Sequence, residues 1–436
     1  MKDYISRKFH KLRYHPVIKT TGLNGIAHFG KAIAGLIANK VLAVFIGPVG
    51  IYFAGQLTNF LYIASFFSTG GIIGGITKYT AEHNDSPEIQ KDYLSTAFSI
   101  VGLFTLVTSI IVTAFSSPLS NYLFGSYEYT LLLALTGITL FFFAGNLAFV
   151  AVLNGYKQFP RIVQINVFTS LSSIVLIALG TYFFKQEGFL ISTVAVQVLT
   201  FLFTLYREPK LLPLLKTSLT GLFQNKKTLH LLQFGLMSAT STFATPFVQM
   251  QIRLYTNHTL GTTEAALWQG MIKISEAYLG FIFPVFGYYY LPRLSELKDN
   301  YYLKREILGG YKIFAPLVLI GLIAIYFLRE PIILLLFSPK FLDMQLLFPY
   351  QLIGDFFKLI GWFMTYFLVA KAMTKHFIGM ELGLGIVSYV LTLLFVKWYG
   401  FPGITMAYMI SFILYFIVLA FLLRHIFLAK KPEATQ

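Results

Sequence analysis

The sequence of 436 residues contains no cysteine and few charged side chains. The absence of cysteine excludes disulfide bonds and thiolate metal sites. Charged residues make up 12% of the chain and hydrophobic residues 56%, whereas a soluble domain is about a quarter charged. No Walker A motif, metal-ligand cluster or nucleophile elbow occurs in the sequence, which argues against ATP hydrolysis and catalysis. We therefore predict an integral membrane protein that is not an enzyme and needs no cofactor or metal.

The hydrophobic residues form continuous runs that are each long enough to cross a bilayer as a helix. These runs do not alternate with a period of two, which favours helices over a β-barrel. We predict an all-α membrane protein with twelve transmembrane helices. Their predicted positions are 21–46, 52–77, 93–117, 129–153, 162–184, 188–206, 229–256, 265–292, 306–328, 344–370, 376–396 and 402–427.

Lysine and arginine are distributed unevenly among the segments that join these runs. With a cytoplasmic N-terminus, and with Arg424 at the end of the last run counted as cytoplasmic, the cytoplasmic segments hold 24 of the 34 Lys and Arg residues. The outside loops hold four. Because positive residues favour the cytoplasmic side, both termini are predicted to be cytoplasmic, with tails at 1–20 and 428–436. The net charge of +16 then reflects topology, and no nucleic-acid partner is expected.

Several residues recur after 213 positions: Lys40 and Arg253, Gln56 and Gln269, Lys91 and Lys304, and Pro118 and Pro331. Together with the six-plus-six pattern of apolar runs, these matches indicate an internal repeat. An even number of helices in each repeat makes the two halves parallel, which is a transporter-like plan. We predict two six-helix lobes, residues 21–206 and 229–427, around a central cavity, with a cytoplasmic linker at 207–228.

Two acid–base pairs lie inside membrane-length apolar segments, Lys273 with Glu276 and Asp355 with Lys358. Each ionised side chain at a bilayer centre costs roughly 2.5–3.5 kcal/mol on insertion scales. The i, i+3 spacing places acid and base on one helical face, so the pairs are either structural salt bridges or part of a polar cavity wall. A buried pair often stabilises no more than a hydrophobic replacement. We therefore favour the cavity and predict proton coupling or gating by Glu276, Asp355 and Lys358.

Lys31, Lys40 and Arg253 have no neighbouring acid in their own predicted helices. Unpaired cations in a low-dielectric cavity suit an anionic substrate, especially a phosphate, and we predict that these three residues bind substrate. Snorkelling to the membrane interface is the alternative for Lys40 and Arg253, which lie towards the outer helix ends. Lys312 and Glu381 lie nearer the cytoplasmic ends of their predicted helices. For these two residues, snorkelling and a role in the site are equally compatible with the sequence.

The run from Gly70 to Gly75 contains two overlapping GxxxG spacings. Such spacings let helix backbones approach closely, so this run predicts tight packing against a neighbouring helix. A gate-lining helix that slides past its neighbour is the less favoured alternative.

Five stretches of the chain resemble the Wzx-type flippases, nearest to their branch of O-antigen translocases and enterobacterial common antigen (lipid III) flippases. They are residues 43–50 (AVFIGPVG), 74–82 (GGITKYTAE), 268–279 (WQG, then ISEAYL), 291–294 (LPRL), and 351–358 (QLIGDFFK) continuing to 369–372. The resemblance implies a MATE-like, two-lobed protein of the multidrug/oligosaccharidyl-lipid/polysaccharide (MOP) exporter superfamily. It also implies that undecaprenyl-pyrophosphate-linked oligosaccharides move from the cytoplasmic to the periplasmic leaflet of a bacterial inner membrane.

The resemblance also bears on individual residues. The charged residues Lys31, Lys40, Arg253, Glu276, Asp355 and Lys358 fall where that branch carries similar charges, whereas Lys273 is a departure from its pattern. We expect the cations, including Lys273, to hold the pyrophosphate. We expect polar side chains to face the sugars: Asn24, Asn39, Gln56 and Gln269.

The mechanism that these expectations suggest is alternating access, driven by the membrane potential with a coupled proton as an optional addition. The lipid bilayer, a polysaccharide polymerase and chain-length proteins are the expected partners. Two alternatives stay open, a flippase for the peptidoglycan lipid precursor and a cation-coupled multidrug exporter of the same superfamily. A multidrug exporter would be expected to have an acid-dominated cavity. Six bases and three acids lie within these helices when Glu306 and Arg424, close to helix ends, are not counted. A glycan ligase or polymerase is disfavoured because no predicted outer loop is long.

Overall fold

The computed structural model describes residues 30, 33–216 and 225–428, and within these ranges the chain is helical and contains no β-strand. The α-helices of the first half are α1 (Ile33–Phe45), α2 (Pro48–Thr69), α3 (Ile73–Glu82), α4 (Pro87–Ala114), α5 (Ser116–Phe124), α6 (Thr130–Gly155) and α7 (Phe159–Arg207). A 3₁₀ segment, Pro209–Lys216, follows α7.

The second half continues with α8 (Asn225–Ala239), α9 (Thr245–Thr259), α10 (Thr262–Val285), α11 (Leu291–Glu296), α12 (Asn300–Phe327), α13 (Arg329–Leu336), α14 (Phe348–Ala370), α15 (Thr374–Tyr399), α16 (Gly403–Leu422) and α17 (Arg424–Phe427). A π-helical turn joins α8 to α9 at Thr240–Ala244, and another joins α10 to α11 at Phe286–Tyr290. A 3₁₀ segment, Pro339–Leu347, precedes α14.

Proline and glycine mark several of these helix ends. Pro87 stands in the first turn of α4, where its missing N–H costs no helical hydrogen bond. Gly125 ends α5 in the left-handed conformation, at φ 69°, and Gly400 separates α15 from α16 at φ 65°. Both conformations are easily reached by glycine because it has no Cβ. The sequence therefore sets where many of these helices begin and end.

The internal repeat is visible in the helix boundaries. Helix α4 and helix α12 begin 213 positions apart and also end 213 positions apart. The short helices α5 and α13 begin with the same offset. A later turn recurs after 215 positions, because Lys157 and Ala372 both have positive φ, 57° and 52°. These offsets agree with the predicted repeat.

Within the described residues, the predicted apolar runs are mainly helical, and the chain is a multi-pass membrane protein. Among the described helices, seven are long and apolar enough to cross a membrane, or eight if the bent pair α2–α3 is one span. Helix α7 combines two of the predicted runs, with a break at Lys185 (φ 52°, ψ −127°). The helices from α8 to α11 are interrupted by two π-helical turns and are not among these seven. The count of twelve spans therefore stays a prediction, whereas the all-helical fold class is confirmed.

The chain divides into two compact units. The first contains the chain up to Phe45 together with Gln56–Pro246, and the second contains Ile46–Gly55 together with the chain from Phe247. Each unit has an apolar core, built around Phe149 in the first unit and around Phe363 in the second. The first turns of α2 thus belong to the second unit, and α8 belongs to the first. The predicted lobe boundaries stay a prediction.

Tight packing surrounds the glycine run of the first unit. Gly70 and Gly71 have φ of 59° and 66°, and α2 and α3 meet there at an angle of 50°. A Cβ on Gly71 would lie 2.9 Å from Cα of Gly235 on α8, and Ser238 Oγ donates to the Gly71 carbonyl at 2.8 Å. These contacts agree with the predicted close helix approach, whereas a gating movement stays a prediction.

Candidate functional site

The guanidinium of Arg253 is buried inside the second unit. Arg253 lies on α9 and has no exposed surface. It donates a hydrogen bond to Oε1 of Gln269 on α10, and its Cζ lies 5.8 Å from the ring centroid of Trp268. The Glu276 carboxylate, also on α10, attracts it electrostatically. Arg253 therefore does not snorkel to the membrane interface. The predicted roles of Arg253 and Gln269 in substrate binding stay predictions.

Space for this guanidinium is provided by Gly55 near the start of α2. A methyl group at residue 55 would lie 2.7 Å from Cδ of Gln269 and 2.8 Å from Cζ and Nε of Arg253. These distances are shorter than the normal separation of heavy atoms in contact. Three helices of the second unit therefore meet at one positive charge, and the absence of a side chain at residue 55 makes room for it.

Replacing Gly55 by alanine should destabilise the protein because the new methyl group overlaps both polar side chains. Overpacking of this kind costs about 1–3 kcal/mol, which an unfolding titration in detergent micelles would measure. Gly280→Ala is the matched control, since Gly280 also lies in a helix of the second unit and its Cβ would meet no atom within 4 Å. Equal stabilities of the two variants would show that the Arg253 surroundings are not closely packed.

The Asp355 carboxylate is the centre of a second polar cluster in the same unit. Asp355 lies on α14 and is fully buried. Its Oδ2 accepts from Ser275 Oγ on α10 at 2.8 Å and from the Tyr278 hydroxyl. Its Oδ1 accepts from the Tyr408 hydroxyl on α16 at 2.6 Å, and Gln351 Nε2 lies 3.3 Å from Oδ2. One carboxylate thus joins three helices through charge-assisted hydrogen bonds.

The two acid–base pairs predicted from spacing differ in the structure. Lys273 Nζ lies 2.8 Å from Glu276 Oε2, in a pair whose carboxylate side chain is 51% exposed. Among the described residues, Asp355 and Lys358 form no such pair. The hydroxyl groups of neighbouring helices bond to Asp355 instead, so the salt-bridge interpretation holds for Lys273 and Glu276 and is wrong for Asp355 and Lys358.

Lys358 has a different environment. Its Nζ lies 5.3 Å from the ring centroid of Phe412 and 5.8 Å from that of Trp362, within cation–π range. It also attracts the Glu381 carboxylate electrostatically, and Glu381 Oε1 accepts from the Tyr415 hydroxyl at 2.8 Å. Glu381 therefore belongs to a hydrogen-bonded set within the second unit.

The remaining predicted site residues lie in the first unit or outside the described residues. Gln56 is fully buried, with Nε2 3.5 Å from the Leu123 carbonyl oxygen. Asn39 is 9% exposed, and Lys40 is half-buried. Lys31 and Asn24 lie outside the described residues. Their predicted roles in substrate binding therefore stay predictions.

Several residues of the two clusters were not predicted from the sequence. Ser275 and Tyr278 are spaced i, i+3 on α10, and Gln351 precedes Asp355 by four residues, so helical spacing alone could have placed each set on one face. Gly55 and Tyr408 carry no such signal, because their neighbours are distant in the chain. The residues added by the structure are Gly55, Trp268, Ser275, Tyr278, Gln351 and Tyr408.

The chain is similar to a protein family, to individual proteins and to solved structures. Residues 17–298 match the family described as "Polysaccharide biosynthesis protein". The chain is 27% identical over 393 residues to the "Lipid III flippase" of Escherichia coli (strain K12), which covers 88% of this chain and 92% of that protein. The names of the matched family and of this relative describe no enzyme, as the sequence predicted.

Two solved structures share the fold. An inward-facing multidrug resistance MATE family transporter of the MOP superfamily has a TM-score of 0.73 at 16% identity, covering 91% of this chain and 95% of that one. The "Lipid II flippase MurJ, inward closed conformation" has a TM-score of 0.62 at 18% identity, covering 92% and 87%. The predicted MOP-type fold is confirmed.

Proposed function

This chain belongs to the polysaccharide biosynthesis protein family, and from that membership we propose that it is a flippase for lipid-linked oligosaccharides. The substrate that fits best is an undecaprenyl-pyrophosphate-linked oligosaccharide, either an O-antigen unit or enterobacterial common antigen lipid III. The flippase moves it from the cytoplasmic to the periplasmic leaflet of the bacterial inner membrane, with both termini of the chain in the cytoplasm. The similarity to a lipid III flippase over 88% of the chain supports this substrate class.

The buried Arg253 guanidinium is the observation that carries the proposal. Burying a cation inside a membrane protein costs free energy. A buried arginine is therefore expected where its positive charge binds an anion. Its planar donors match the oxygen atoms of a phosphate group. Gln269 holds the guanidinium in place. In this proposal Arg253, Lys31 and Lys40 bind the pyrophosphate. The amides of Asn24, Asn39, Gln56 and Gln269 bind the sugars.

The membrane potential supplies the driving force. A pyrophosphate diester carries about two negative charges, and each is worth about 2.3 kcal/mol per 100 mV. Outward movement of the charged lipid therefore gains roughly 4–5 kcal/mol at 100 mV from an inside-negative potential. Proton entry through Glu276 or Asp355 adds to this gain if it is coupled. A polysaccharide polymerase and chain-length proteins then receive the product.

The proposal is tested with purified protein in vesicles of phosphatidylethanolamine and phosphatidylglycerol. The probe is a fluorescent undecaprenyl-pyrophosphate-linked oligosaccharide, and a membrane-impermeant quencher reports which leaflet holds it. We expect protein-dependent movement that speeds up when a potassium diffusion potential is negative on the starting side.

Two parallel samples separate the rival functions. One contains the peptidoglycan lipid precursor and the other a cationic dye. Movement of the peptidoglycan precursor alone would establish that alternative, and transport of the dye alone would establish a multidrug exporter. Either result would overturn the proposed substrate.

A further inference from the structure

An apolar groove lies between α12 and α14 on the surface of the second unit. Its volume is about 360 Å³. The α12 wall includes Leu322, Ile323 and Tyr326, and the α14 wall includes Leu352 and Ile353. Within each wall, neighbouring members are one, three or four positions apart, as on one face of a helix. Ile323 and Ile353 are 48% and 44% exposed, so the groove opens to the lipid.

The groove is nearly as long as the part of a lipid chain that lies within one leaflet. Its α12 wall runs from Leu319 to Phe327, which is about 12 Å along a helix axis. Half of the hydrocarbon core of a bilayer is about 15 Å thick. The groove begins at the α12 end that the distribution of positive residues assigns to the periplasmic side, and it therefore lies in the outer leaflet.

A cation stands at this end of the groove. Arg329 Nη1 donates to the Tyr326 carbonyl oxygen at 2.7 Å, and the guanidinium Cζ lies 4.4 Å from the Tyr326 ring centroid. A guanidinium has five N–H donors, and this bond uses one of them. An anionic group at the head of a chain in the groove would meet the remaining donors.

The corresponding place in the first repeat is packed tightly instead. Helix α12 repeats α4 after 213 positions, so Tyr326 corresponds to Thr113. Helix α14 ends 215 positions after α6, so Leu352 corresponds to Gly137. A Cβ on Gly137 would lie 3.0 Å from the backbone nitrogen of Thr113, and Thr113 Oγ1 donates to the Ala134 carbonyl oxygen at 3.4 Å. At these two positions, Thr113 and Gly137 pack together where Tyr326 and Leu352 line the groove of the second repeat.

The difference between the two repeats indicates which molecule binds in the groove. Both repeats are surrounded by the same bulk lipid, so a groove needed only for ordinary acyl chains would have no reason to differ between equivalent positions. We infer that the groove binds the isoprene units next to the phosphate of the lipid-linked substrate, with the phosphate end at Arg329, when the lipid is in the outer leaflet. The inference rests on the proposed function and adds to it a site for the lipid tail.

Photocrosslinking of the full chain in phosphatidylethanolamine and phosphatidylglycerol vesicles tests the inference. The probe is undecaprenyl phosphate with a diazirine in the isoprene unit next to the phosphate, and the crosslinked peptides are identified by mass spectrometry. We expect crosslinks in α12 and α14. Ile353→Trp fills the groove and should lower their yield about tenfold, which corresponds to about 1.4 kcal/mol of binding free energy.

Ile320→Trp is the matched control, because Ile320 lies on α12, is 66% exposed and does not line the groove. Its crosslinking yield should equal that of the unmodified protein. Equal yields for Ile353→Trp and the unmodified protein would overturn the inference. So would a phosphatidylglycerol probe with a diazirine in its acyl chain that crosslinks equally well and is equally blocked by Ile353→Trp, since the occupant would then be an ordinary phospholipid.

Flipping measured in the same vesicles separates this inference from the proposed function. Flipping without crosslinks in the groove would overturn the tail site and leave the flippase standing. Crosslinks that Ile353→Trp blocks, in a protein that moves no lipid, would support isoprenoid binding in the groove and overturn the flippase function.

Discussion

Replacing Arg253 by glutamine should slow the movement of the undecaprenyl-pyrophosphate-linked oligosaccharide by about 100-fold or more. Loss of one partner from a desolvated charge pair costs about 2–5 kcal/mol, and about 1.4 kcal/mol corresponds to a factor of ten. The guanidinium is fully buried and bonded to Gln269, so water cannot take its place at the phosphate. The initial rate in the vesicle assay with the fluorescent lipid measures the effect.

Arg253→Lys distinguishes charge from geometry at this position. Lysine keeps the positive charge but loses the planar donors that match a phosphate group, so an intermediate rate is expected. Lys312→Gln serves as the matched control, because Lys312 is an exposed cation on α12 and its loss should leave the rate unchanged. A normal rate in a well-folded Arg253→Gln protein would remove Arg253 from substrate binding.

Replacing Asp355 by alanine should lower the free energy of unfolding by about 2–5 kcal/mol. The change removes the acceptor for the hydroxyls of Ser275, Tyr278 and Tyr408. Hydrogen bonds between membrane helices are worth about 0.6 kcal/mol on average and up to about 1.7, and each donor left without a partner adds a penalty. Unfolding of the purified protein in detergent micelles measures the change.

The controls for Asp355 separate its structural role from proton coupling. Asp343→Ala removes an exposed carboxylate and should change the stability little, whereas Tyr408→Phe removes one of the bonds to Asp355 and should have an intermediate effect. Asp355→Asn keeps the side-chain volume. If its flipping rate shows the same pH dependence as the unmodified protein, Asp355 stabilises the second unit without carrying a proton, and an Asp355→Ala protein of normal stability would contradict the structural role.

The sequence by itself determined the membrane class, the all-helical architecture and the repeat. These features depend on local properties, namely the length of apolar runs and the positions of proline and glycine. The offset of 213 between Lys40 and Arg253 is the same offset that separates the ends of α4 and α12. The high cost of a charge in the membrane was also sufficient to single out Arg253 and Asp355.

Only the tertiary structure decided which groups these charges contact. Spacing along one helix predicted Lys358 as the partner of Asp355. Instead, α10 and α16 pack against α14, and three of their hydroxyl groups donate hydrogen bonds to the Asp355 carboxylate. Tyr408 lies 53 positions from Asp355 in the chain, and no local pattern predicts such a contact. Gly55 and the groove beside Ile353 are spaces between helices, and a space has no signal in the sequence of either helix that borders it.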